Sequence, residues 1–128
     1  MNALPYLTVE LEIPSAKLTK NARVHYMEKA RITAAHRLYA KAHFRKARGK
    51  LATRFETSVR ATFFWKDKRR RDRGNAMSRL EPYWDGMQDA WVIADDVGLT
   101  FLPCVFEYSR PKKPCVVIEC YDVEGEEA

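Results

Sequence analysis

Cysteine is scarce in this 128-residue chain, and the scarcity excludes a disulfide-built fold: Cys104, Cys115 and Cys120 are odd in number and form no C-x-x-C pair. Combined with His25, His36 and His43 they match no standard zinc spacing, so reduced, buried thiols are expected, with the histidines in packing or phosphate contact. Long apolar runs are absent too. Nothing approaches the roughly 20 apolar residues of a membrane span, and residues 1–5, followed by alternating polar positions, do not resemble a signal peptide. No internal repeat, linker or low-complexity segment appears apart from an acidic tail at about 123–128, expected to fray. One domain over residues 1–128 is expected, large enough to bury a core without disulfides or a structural metal. It should be soluble and intracellular, with no membrane partner.

Charge is what the chain has in abundance, and it is unevenly placed. The net charge is +6, but residues 1–75 carry 19 Lys and Arg against 6 Asp and Glu, while residues 76–128 carry 4 against 11. A polyanionic partner facing the first part follows, with nucleic acid the commonest kind. The densest run, residues 66–73, holds six cations in eight positions, which favours nucleic-acid contact over a merely solvated surface.

Periodicity outlines the fold. Leu7, Val9, Leu11 and Ile13 alternate with polar residues as in a strand with one buried face, ended by Pro14 and Ser15. A helix is expected over Tyr26–Arg48, with Ile32, Ala35, Leu38, Tyr39, Ala42 and Ala47 on its apolar side and Gly49 as its stop. Phe55, Thr57, Val59, Ala61, Phe63 and Trp65 alternate as a second strand that delivers the basic run as a loop at a sheet edge. Asn75 can cap a following helix whose stripe is Met77, Leu80, Trp84, Met87 and Trp91, kinked or split by Pro82. Two more strands are expected around residues 104–108 and 115–121, with 110–114 as their hairpin turn. The fold class is α+β, a mixed sheet of about four to five strands with two main helices.

A helix over residues 75–89 would be about 21 Å long, and residues 90–96 reach back about 20 Å when fully extended. Asp96 can then only just rejoin Asp72. Either the chain folds straight back, or Pro82 shortens the path, or a second subunit completes the carboxylate cluster.

Three segments carry a resemblance. K-R-R-R-D-R-G-N (68–75), W-D-G-M-Q-D-A-W-V-I-A-D-D (84–96) and L-T-K-N-A-R-V-H-Y-M-E-K-A-R-I-T (18–33) resemble, in order and total length, the RusA-type Holliday-junction resolvases of bacteriophages and prophages. Those proteins usually show R-R-D-x-D-N, then L-D-G-L-x-D-A-G-V-I-x-D-D. The resemblance implies a RusA-like fold, cytoplasmic in a bacterium or phage-infected cell. It implies a homodimer that binds four-way or branched DNA and makes paired symmetric nicks in recombination or repair. The expected cofactor is Mg2+, with Mn2+ a possible substitute and no small-molecule cofactor. Magnesium prefers hard oxygen ligands and keeps waters, one of which can attack phosphorus in line.

By motif, Asp72 and Asp96 are the expected metal ligands, with Asp95 beside them and Asp85 an acid of less certain role. Lys68, Arg69, Arg70, Arg71 and Arg73, with Asn75, Lys20, Asn21 and Arg23, are the expected DNA contacts. Without the resemblance, Asp72 equally suits a helix N-terminus, and Asp95 and Asp96 suit a turn.

The departures are specific. Gly74 stands where the family has a second Asp, and Glu81 where many members have Lys. Arg79 is then the candidate replacement cation and Glu81 a candidate replacement carboxylate, both assigned to catalysis. Trp91 replaces a Gly, so the helix must end differently or adopt left-handed geometry at a cost. A catalytically weakened junction-binding protein is one alternative, and a small basic RNA-binding protein another.

Overall fold

Two alternating stretches give the sheet its inner face. In the computed structural model, which describes residues 4–19, 22–108 and 113–123, Leu7–Glu12 forms β1 with Leu7, Val9 and Leu11 buried and the intervening residues exposed. Thr57–Phe64 forms β2, burying Thr57, Val59, Ala61 and Phe63. This is the face alternation that a pleated strand imposes. Phe55, expected in that strand, precedes it and is 80% exposed.

β2 is the central strand. Cys115–Tyr121 forms β5, antiparallel to both β1 and β2. On the other side of β2 two three-residue strands follow one another in parallel register, β3 (Leu99–Phe101) against its first half and β4 (Val105–Glu107) against its second. The fold is α+β with a five-stranded mixed sheet in the order β1-β5-β2-β3, β4 lying off that path beside β2. The expected hairpin between the last two strands is therefore corrected: β4 and β5 flank opposite sides of β2, and residues 109–112 of the expected turn lie outside the described residues. The basic run leaves the end of a central strand, not a lateral edge.

Helix α1 spans Tyr26–Arg48, begun by His25, whose Nδ1 accepts from the Met27 N–H at 3.2 Å, and ended at Gly49 with φ 54°. Its inward face is not the expected one. Ala40 and Phe44 are buried, whereas Leu38 is 67% exposed and Ala35, Ala42 and Ala47 face outward. Alanines lie all round this helix, so periodicity alone does not choose a face. Gly86 does: a Cβ there would stand 2.8 Å from the Ala40 Cβ and the Arg37 carbonyl and 2.9 Å from the Lys41 N. The missing side chain lets the two helices close along that line.

Pro82 splits the next helical stretch into α2 (Arg73–Ser78) and α3 (Glu81–Asp89), and it sits in the first turn of α3, where its absent N–H costs nothing. The cap of α2 is Asp72, not Asn75: the carboxylate accepts from the Asn75 N–H at 2.9 Å. Leu80, Trp84 and Met87 are buried as expected, but Trp91 is 61% exposed. It leaves the stripe because α3 ends at Asp89 and Trp91 takes φ 63°, the left-handed geometry that glycine adopts most readily.

One core joins Phe44 of α1, Tyr83 and Met87 of α3 and the inner faces of β1, β2 and β5. Truncating a ring such as Phe44 to alanine in this setting costs about 3–5 kcal/mol. The thiols are free, but only Cys120 is buried; Cys104 and Cys115 are partly exposed. Burial pushes the Cys120 thiol up to about 12. Among the described residues no helix is long and apolar enough to cross a membrane.

Candidate functional site

A cleft of about 580 Å³ runs between the outer face of α2 and α3 and strand β3. Gly74, Ser78, Glu81 and Asp85 form the helical wall, and Asp96, Leu99 and Phe101 face them. The helical residues recur at steps of four, three and four, which puts them on one side of the α2–α3 stretch. The floor is apolar, with the Trp84 and Phe101 rings 5.1 Å apart.

The acids crowd one another where the chain re-enters β3. Asp95 caps a short 3-10 turn over Asp96–Gly98, its Oδ1 accepting from the Val97 N–H at 3.1 Å. The Asp96 carboxyl is raised above the ordinary aspartate range, first through hydrogen bonding with Asp95, then by the little burial it has and by the charges of Asp95 and Asp85. Carboxylates that repel one another in this way accept a hard cation readily. Among the described residues, however, no three or more His, Cys, Asp or Glu side chains close into a metal-ligating group. Asp85 and Asp96, which line the cleft together, are the carboxylates that could hold a hard cation such as Mg2+, which is commonly bound by one or two carboxylates with water and substrate phosphate.

Asp72 does not line this cleft. It follows the end of β2, caps α2, and opens onto a smaller cavity with Arg71, Asn75 and Arg79. Asp96 precedes β3, whose Leu99 pairs with Thr57 at the start of β2. Within one chain the two acids thus belong to opposite ends of the central strand. Gly74 lies between them, and a Cβ there would stand 3.1 Å from Asp72 Oδ1, so an aspartate would bring a carboxylate beside Asp72 and onto the cleft wall together.

The basic run divides by use. Arg71 is committed to the fold, its guanidinium 2.9 Å from Asp67 Oδ1 and 4.2 Å above the Trp65 ring. Arg73 donates to the Cys104 carbonyl at 2.7 Å and covers Phe106. Lys68 and Arg70 are exposed, as is Arg23, and Arg69 is exposed with only a loose pairing to Asp67 at 3.8 Å. Lys20 and Asn21 lie outside the described residues. Arg79 is not beside Glu81 in the acid cleft: both its Nε and Nη2 donate to the Pro14 carbonyl, at 2.8 and 2.6 Å. Of the histidines, His36 accepts from the Ser15 N–H at 3.2 Å and packs on Tyr83, and His43 packs on Tyr39.

Asp85 and Ser78 enter the cleft without having been assigned a ligand role from the sequence. Their spacing from Gly74 and Glu81 was the available signal. At the other end of β2, Lys66 was marked by the basic run, but its meeting with Lys113 was not, because the two come from separate strand ends. No protein-family model matches the chain, and no curated protein matches it either.

Proposed function

We propose that this protein is a magnesium-dependent, structure-selective DNA endonuclease that resolves four-way junctions by paired nicks, working as a homodimer. The observation that carries the reading is the cleft lined by Glu81, Asp85 and Asp96, on a chain whose basic run leaves Lys68, Arg69 and Arg70 exposed at the other end of β2. Asp85 and Asp96 would hold Mg2+, with Asp95 keeping Asp96 in place. The ion, when bound, supplies charge neutralisation at the phosphate and an acidified water. Glu81, exposed on the same wall, takes up the proton released by the attacking water at a carboxylate oxygen. Lys68, Arg69 and Arg70 neutralise backbone phosphates of the bound DNA, which releases its condensed counterions, so affinity falls steeply with salt. A twofold enzyme suits a substrate with near twofold symmetry.

Incubation with a synthetic four-way junction, with Mg2+ or with chelator, tests this directly. Paired nicks that require the metal are the expected result. Gly74 and the absence of a three-acid group among the described residues favour a second reading, a junction-binding protein with weakened cleavage; junction binding with no nicking in Mg2+ or Mn2+ would establish it in place of the first. Equal affinity for linear duplex, junction and structured RNA would instead favour a general RNA-binding role.

A further inference from the structure

Trp65 is 5% exposed, and its indole N–H is buried with no hydrogen-bond partner among the described residues. An unmade buried hydrogen bond is costly, and buried indoles normally find an acceptor. The ring lines two cavities that share walls, of about 430 and 210 Å³. They lie where β1 and β2 finish and β5 begins, because Glu12 and Phe64 both pair with Cys115. Arg69, Arg71 and Arg79 line both cavities; in the smaller, Asp72 is also present and already accepts from the Asn75 N–H, while the larger adds Lys66 and Lys113 and holds five cations against two carboxylates, Glu12 and Asp67.

The two carboxylates are already engaged. Asp67 accepts from the Arg69 N–H and the Arg71 guanidinium, and Glu12 pairs with Lys113 at 3.1 Å. Arg79 is half-buried and has no carboxylate partner among the described residues; its charged form is disfavoured first by burial and then by the facing charge of Arg71. Like cations held together over a buried, unused donor are costly unless an anion joins them. Guanidinium forks match phosphate oxygens in geometry.

We propose that this cleft is a phosphate-recognition pocket beside Trp65, in which Arg69 and Lys113 hold one backbone phosphate of the bound nucleic acid, away from the phosphate that is cut, and the fold-bound guanidiniums of Arg71 and Arg79 add their charge. The bearer of the phosphate rests on the nuclease reading; the pocket itself does not. Asp96 lines neither cavity, so the phosphate seated here is distinct from the one beside that acid.

The test follows the Trp65 indole resonance of the full-length, isotope-labelled protein, assigned with Trp65→Phe. The probes are inorganic phosphate, a thymidine dinucleotide carrying one phosphodiester, and chloride at matched ionic strength. Saturable shifts with phosphate and dinucleotide but not chloride are expected. The double variant Arg69→Gln/Lys113→Gln, at two exposed positions, should weaken both responses about tenfold, and Asp96→Asn should leave them intact. Equal response to chloride, or an unchanged response in the double variant, overturns the pocket. A response to phosphate without one to the dinucleotide overturns the backbone assignment. The indole shift needs no metal and no cleavage, so failure of the nuclease reading leaves this result standing and is told apart from failure of the pocket.

Discussion

The two faces of α2 are built from adjacent residues and have opposite chemistry. Gly74, Ser78 and then Glu81 look into the acid cleft, while Asn75, Ala76 and Arg79 look toward the cation-lined end of the sheet. On the acid side like charges are crowded and exposed; on the cation side they are crowded and half-buried, with guanidiniums committed to aromatic rings and carbonyls. The difference teaches that a charge run in the sequence is not one surface. Its members are sorted by which strand end they leave and which helix face they meet.

Several substitutions would break or sharpen that contrast. Gly86→Ala has the largest expected effect, because the added Cβ meets the α1 backbone at 2.8 and 2.9 Å. A loss of about 2–3 kcal/mol in urea unfolding is expected, with the acid cleft disturbed more than the cation cleft, since Asp85 rides on the same helix. Gly74→Asp should raise junction cleavage about tenfold at limiting Mg2+ by adding a carboxylate beside Asp72 on the cleft wall; no gain in single-turnover rate would mean that Glu81 or another acid already fills the role. Trp91→Gly should stabilise the fold by about 1 kcal/mol or less, the relief of left-handed strain being partly offset by the freedom glycine has when unfolded. A fall in thermal midpoint would show that the exposed indole has a packing partner of its own.

The smallest effect is the pH dependence of Asp96. Its folded-state pKa is raised by its neighbours, so its contribution favours folding below the unfolded aspartate value and is lost as pH rises through the higher folded value. Asp96→Asn should therefore raise the thermal midpoint at neutral pH and not in acid. Mg2+ should narrow that gap in the parent protein by screening the same repulsion.

Much of the fold was legible. Strict alternation marked β1 and β2, and Tyr26–Arg48 with Gly49 after it matched the observed helix and stop. Pro82 marked the split. What periodicity missed was decided at a distance. β3 has three residues and exists because β2 offers it a parallel edge. The inward face of α1 was chosen by a glycine in α3, and β4 and β5 were separated by insertion of β2 between them. For the site, the motifs named Asp96, Glu81 and Asp85 one by one, and the structure puts all three on one cleft. The motifs could not show that Asp72 turns its carboxylate into a cap, nor that Arg79 turns away toward Pro14.

The division of labour between the two faces is tested most directly by single-turnover cleavage of a saturating four-way junction in Mg2+, comparing Asp96→Asn with Arg69→Gln/Lys113→Gln. Asp96→Asn is expected to bind the junction normally and to lose at least about a hundredfold in rate, while the double variant keeps its rate once saturated and needs about tenfold more protein to reach it. Parent-like cleavage by Asp96→Asn, or an equal loss of saturated rate in both, would contradict the account.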